Sequence, residues 1–256
     1  LFAYDHVSFY LGGGNGPNIR TVRLNTWKRT IQTPPPDAQK IKRKRELVDH
    51  IGSAFLPNSV LAMSNLKAPV PGSSDTSGAS LLALQLTGRD KQVLPANLAF
   101  ARKLYFQHDE IESGIPLATN GGAPDYNIFR RAIKEVHELL QREEFKTIIE
   151  IRFTPHASEA MLGPGTGGPT CYIELAPSMT QHSRERIVQV FHRFDDLLRD
   201  RFNARPHLGK KTSARAADMR NLYGHVWDEF NAIRKEIDPA GKFLPKDNEL
   251  LNRLFS

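Results

Sequence analysis

The chain has 256 residues, 39% of them hydrophobic and 25% charged, an ordinary composition for one large or two modest globular domains. No apolar run approaches the roughly 20 residues of a helical membrane span, so the chain is expected not to cross a bilayer, while peripheral contact with a membrane stays open. The single cysteine, Cys171, excludes a disulfide within these residues and favours a reducing compartment, and the net charge of +7 raises the question of an acidic partner.

In chain order, Tyr4 to Leu11 and Ile19 to Trp27 read as strands on either side of Gly12-Gly13-Gly14-Asn15-Gly16-Pro17. A glycine run that cradles a dinucleotide leads from a strand into a helix. Here Ile19, Thr21 and Arg23 alternate with Val22, Leu24 and Thr26, which suits a second strand, so the run is expected to be a hairpin loop. Pro34-Pro35-Pro36 ends the hairpin, and Asp37 can cap a following helix.

That helix carries the densest basic cluster, Lys40-Ile41-Lys42-Arg43-Lys44-Arg45. Ile41, Val48, Ile51 and Phe55 recur at helical spacing, which predicts a docked helix with a solvated basic face. No aromatics are interleaved with the charges, so no nucleic-acid partner is expected. Lys67 to Gly88, rich in Pro, Gly and Ser, reads as a surface loop.

Leu104 to Ile115 alternates as a strand. Asp125 then offers an N-cap to a helix whose Phe129, Ile133, Val136 and Leu140 form one stripe. Thr147 to Phe153 reads as the next strand, Gly163 to Pro169 as a turn, and Thr170 to Leu175 as a further strand. Ile187, Val190, Phe191, Phe194 and Leu198 form the buried side of another helix, in which aromatics are core residues. Trp227, Phe230 and Ile233 are expected to pack, and Asp238-Pro239-Ala240-Gly241 is a helix stop. With a hairpin first and no regular βαβ units, the fold class is α+β: a large, mostly antiparallel sheet with helices on one face.

Two motifs carry the chemistry. On the strand Thr147 to Phe153, Ile149, Ile151 and Phe153 occupy one face, and Glu150 and Arg152 share the other, roughly 6.5 Å apart. Alone, such a pair is most often a same-face ion pair contributing about 0.2–1 kcal/mol. The second motif is Arg205-Pro206-His207-Leu208-Gly209-Lys210. His207 is equally a buried, hydrogen-bonded histidine or a direct participant, and Lys210 has no capping task.

Together with Asp5-His6-Val7-Ser8-Phe9-Tyr10, Arg23-Leu24-Asn25-Thr26-Trp27-Lys28-Arg29-Thr30, Cys171-Tyr172-Ile173, Leu222-Tyr223 and Gly241-Lys242-Phe243, these motifs resemble the C-terminal part of the sugar-1,4-lactone oxidases. That flavoprotein family, of the vanillyl-alcohol-oxidase fold, contains the D-arabinono- and L-gulono-1,4-lactone oxidases. The resemblance runs from near residue 4 to residue 255, with Leu208 standing where the family signature usually has Trp. It implies that residues 1–256 form the substrate-binding cap domain of a two-domain flavoenzyme, with FAD held mainly by an N-terminal domain absent from this chain.

In that frame the chain, which opens at Leu1 without an initiator Met, is expected to be a fragment, inactive by itself, from a cytoplasmic or peripheral membrane protein. The resemblance implies catalytic roles for Glu150, Arg152 and Lys210, cofactor contacts from Lys210 and His207, and no metal. The substrate would be a sugar lactone or polyol whose secondary alcohol is oxidised by hydride transfer to flavin. Arg152 and Lys210 would meet developing negative charge and Glu150 would accept or orient the proton. An alditol oxidase is the alternative within this chemistry, although its family shows a His-x-Thr pattern where this strand reads Cys171-Tyr172-Ile173. A noncatalytic binding module that keeps the cap fold is the alternative outside it.

Overall fold

The computed structural model describes residues 6–13, 21–27, 33, 36, 108–118, 122–155, 160–177, 179, 182–244 and 248–255, the first two stretches as backbone only. The elements are β1 (His6–Gly13), β2 (Thr21–Trp27), β3 (Ile111–Pro116), α1 (Tyr126–Arg142), β4 (Thr147–Thr154), β5 (Thr170–Ala176), α2 (Arg184–Phe202), β6 (Arg205–Pro206), α3 (Ala216–Tyr223), α4 (His225–Ile237) and α5 (Glu249–Phe255).

The six strands form one sheet in the order β2-β1-β4-β5-β3-β6, and every neighbouring pair is antiparallel. The α+β expectation is therefore met, including the opening hairpin. β1 runs through Gly12 and Gly13, two residues expected in the loop. Of the strand expected from Leu104 to Ile115, residues 104–107 lie outside the described residues and β3 covers Ile111–Pro116. The basic helix after Asp37 and the loop from Lys67 to Gly88 lie outside the described residues.

β4 shows why the sheet has two unlike faces. Thr147, Ile149, Ile151 and Phe153 are buried, while Ile148, Glu150, Arg152 and Thr154 are half-buried. Because strand side chains alternate, the register Ile151↔Ile173↔Ser113 places Cys171, Ile173, Leu175, Ile111 and Ile115 on the apolar face as well.

Helices α1 and α2 cover that face. Asp125 caps α1, its carboxylate accepting the Asn127 N–H at 2.8 Å, and Ile133, Val136 and Leu140 are buried along the expected stripe. Phe129 meets the Phe153 ring edge-on at 5.2 Å. Ser183 caps α2, and Ile187, Val190, Phe191, Phe194 and Leu198 fill the space against the sheet. Asn203 ends that helix at φ 51°, a left-handed conformation that asparagine tolerates.

A second, smaller core gathers Ala214, Met219, Tyr223, Trp227 and Leu254 from α3, α4, α5 and the segment before them. Trp227 stacks on Phe255 at 5.2 Å, as expected of a packing residue. Ile233 departs from the expectation at 40% exposure, because it sits on the face of α4 turned away from this core. Asp238 closes α4: its carboxylate accepts the N–H groups of Lys242 and Phe243, both at 2.8 Å, and Gly241 supplies the turn at φ 65°.

Candidate active site

The second face of the sheet carries the site. In register across three strands it presents Glu150 and Arg152 from β4, Tyr172 and Glu174 from β5, and Glu112 and Gly114 from β3. On β5, Cys171 and Ile173 face the helices instead, so the residues that share a surface with Arg152 are Tyr172 and Glu174. Burial pushes the Cys171 thiol well up, which keeps it protonated in the core.

Glu112 is the centre of the array and is fully buried. Its Oε1 accepts from Arg152 Nε at 3.0 Å and from Arg152 Nη2. Its Oε2 lies 3.4 Å from Lys210 Nζ and 4.0 Å from His207 Nε2. Lys210 also donates to Glu174 Oε2 at 2.6 Å and lies 3.2 Å from Glu110 Oε2. Arg152 and Lys210, far apart in sequence, thus converge on one side of the sheet. Glu150 shares that face directly opposite Glu174.

The electrostatics follow from burial set against pairing. Burial opposes charge on Arg152, yet Glu112, Glu174 and Glu150 outweigh it and strengthen its hold on the proton. Burial likewise pulls Lys210 down, but Glu112, Glu174 and Glu110 raise it. For Glu174 burial wins: with the added repulsion of Glu112 and Glu150 it overcomes the Lys210 charge and lifts the carboxyl from 4.5 to about 7. Burial and the Glu112 charge raise the Tyr172 phenol, whose ring lies 5.4 Å beneath the Arg152 guanidinium.

Lys210 is held by structure that no motif announced. Buried Asp195 on α2 accepts Ser113 Oγ at 3.0 Å, Thr212 Oγ1 at 2.6 Å and the Ser213 N–H at 2.7 Å. The Lys210 N–H returns to the His207 carbonyl at 2.9 Å. These bonds tie the segment carrying Lys210 to both β3 and α2, so its ammonium enters the site from a fixed base.

His207 is 38% exposed rather than buried, and its Nδ1 accepts the Gly209 N–H at 3.2 Å. It borders an open hollow of about 450 Å³ with Met161, Leu162, Pro164, Leu208 and Phe230. Another hollow, of about 370 Å³, is lined by α1 and α2 on the helical side of the sheet. Among its charges Arg201 pairs with Glu135 at 3.1 Å and Lys134 with Glu138 at 3.9 Å.

The segment before β5 closes tightly over β3. A methyl group on Gly114 would stand 2.7 Å from Pro164 Cβ and 3.0 Å from Thr170 Cγ2. We expect Gly114→Ala to lower stability by about 1–3 kcal/mol through overpacking. Denaturant unfolding measures this, and an unchanged midpoint would mean that the Pro164 segment yields without cost.

Among the described residues no cluster of His, Cys, Asp and Glu suits a metal ion, and no helix is long and apolar enough to cross a membrane.

A helix-backed antiparallel sheet whose other face holds two cations on buried carboxylates defines an α+β domain. The chain belongs to the D-arabinono-1,4-lactone oxidase family, whose profile matches residues 17–254. It is 30% identical over 147 residues to an L-gulono-1,4-lactone dehydrogenase of Mycobacterium tuberculosis, covering 57% of this chain and 31% of that protein. It is 35% identical over 94 residues to an alditol oxidase of a Streptomyces species, covering 37% and 21% respectively. The match thus spans about a third or less of the length of these curated relatives.

Proposed function

We propose that residues 1–256 are the substrate-binding cap of an FAD-dependent oxidoreductase that oxidises a secondary alcohol of a sugar-1,4-lactone. The observation that carries this reading is the convergence of Arg152 and Lys210, distant in sequence, on the single buried carboxylate of Glu112. Two cations fixed this way need little reorganisation when negative charge develops nearby.

The donor set fits a flavin. Lys210 is an immobilised, 17% exposed ammonium of the kind that stabilises an electron-rich ring edge, and Arg152 is 30% exposed, so both cations reach the surface of the sheet. A bound flavin would supply the hydride acceptor. Lys210, with His207 beside it, would hold the ring edge, while FAD is bound chiefly by a domain outside this chain.

On the substrate side, Arg152 binds the reacting oxygen through the part of its guanidinium not committed to Glu112. The Tyr172 ring, 5.4 Å from its central carbon, supports it by a cation–π contact. Glu150 accepts or orients the hydroxyl proton from the same face. The surrounding wall of β4 and β5 positions the lactone and displaces water from it.

The similarity to an alditol oxidase supports a second reading with the same machinery, an open-chain polyol in place of the lactone. Anaerobic absorbance scans of the full-length, flavin-loaded protein separate the two. Bleaching of the flavin band by sugar-1,4-lactones is the expected result. Bleaching by alditols alone would replace the lactone with a polyol, and none with either class would overturn the assignment.

A further inference from the structure

We infer that Glu112, which no motif of the sequence singles out, is the positioning residue of this site: one buried carboxylate that sets both the orientation of Arg152 and the location of the Lys210 charge. The inference deepens the function proposed above and rests on it for the catalytic standing of the two cations.

Three observations carry it. Glu112 has no exposed surface, and an ionised carboxylate is not kept in such a place unless its partners repay the loss of water. Its partners are Arg152 and Lys210, and among the described residues it alone bonds or ion-pairs with both. Its two oxygens are also divided between tasks: Oε1 takes both Nε and Nη2 of Arg152, whereas Oε2 makes no hydrogen bond among the described residues and faces Lys210 at 3.4 Å.

This division has consequences for geometry. A guanidinium held at Oε1 through both Nε and Nη2 is restrained against rotation about its long axis, with its central carbon 5.4 Å from the Tyr172 ring centre. The two cations repel each other, and the negative charge of Glu112 between them offsets that repulsion. Glu174 and Glu110 support Lys210 from its other sides, and Glu174 acts on Arg152 through its charge, but among the described residues neither hydrogen-bonds or ion-pairs with Arg152.

The test uses full-length protein labelled with 13Cε-lysine, with Lys210→Arg to assign the resonance. In Glu112→Gln, which keeps the side chain's shape and removes its charge, Lys210 is expected to titrate at lower pH than in the parent. In Glu112→Asp, which keeps the charge but withdraws it by one methylene, hydrogen exchange at Arg152 Nε should quicken about tenfold or more as its bond is lost. Neither readout needs turnover or bound cofactor, so both stand apart from failure of the proposed activity. Flavin reduction in both variants should slow by about 10- to 100-fold, as for other groups that orient a reacting residue, with substrate KM changing less. An unchanged Lys210 titration in folded Glu112→Gln would overturn the inference. So would parental Arg152 exchange in Glu112→Asp, which decides the matter if the glutamine variant does not fold. Shifted resonances with a parental reduction rate would also overturn it, by making Glu112 a structural ion pair only.

Discussion

On the proposed function, Arg152→Ala is expected to slow flavin reduction in the full-length protein by about 10²- to 10³-fold, the loss typical of removing one donor from a developing oxyanion. The substitution also leaves Glu112 with only Lys210 and His207 near it among the described residues, so flavin content and far-UV circular dichroism must first show a folded, loaded protein. Arg152→Lys should recover only part of the rate. An ammonium cannot hold Glu112 through two nitrogens and still present a further edge to the substrate, whereas the planar guanidinium can. Glu150→Gln should retain FAD while slowing reduction, which separates a substrate role from a structural one. Rapid mixing under anaerobic conditions reads each rate directly. A parental rate in Arg152→Ala would reduce the Glu112–Arg152 pair to a fold-stabilising contact.

Much of the scaffold was legible because it rests on local rules. The period-two pattern of Ile149, Ile151 and Phe153 placed Glu150 and Arg152 together, and the stripe beginning at Phe129, with Asp125 before it, defined α1. Glu112 and Glu174 were not legible for the opposite reason. Each belongs to a short strand flanked by apolar residues, and nothing in Ile111-Glu112-Ser113 says that this carboxylate will be buried against cations from β4 and from the segment after β6. Their roles are set by strand order, a long-range property. A usable signal did exist: once β4 and β5 are paired, counting in steps of two from Arg152 leads to Tyr172 and Glu174. Asp195 was hidden in another way, as an acid on the helical stripe of α2, where its neighbours Val190, Phe191, Phe194 and Leu198 advertise only packing.

Glu174 gives the site a measurable pH signature. Its carboxyl is held at about 7 instead of 4.5, so between those values the folded protein binds a proton that the unfolded chain releases. The stabilisation from this group is therefore fully present below about pH 4.5, declines as pH rises, and is gone above about pH 7. At about 1.36 kcal/mol per pH unit, the change across that window is roughly 3 kcal/mol. Glu174→Gln lacks the titration but keeps a polar group beside Lys210, which retains Glu110 and Glu112 as partners. The unfolding free energy of the glutamine variant should therefore rise relative to the parent by roughly 3 kcal/mol as pH is carried through the window. Comparing the two proteins cancels the histidines and other carboxyls that titrate in the same range. Parallel stability curves, separated by a constant amount from acid to neutral pH, would show that Lys210 compensates the burial of Glu174 completely. Glu174 would then be ionised at neutral pH in the folded protein.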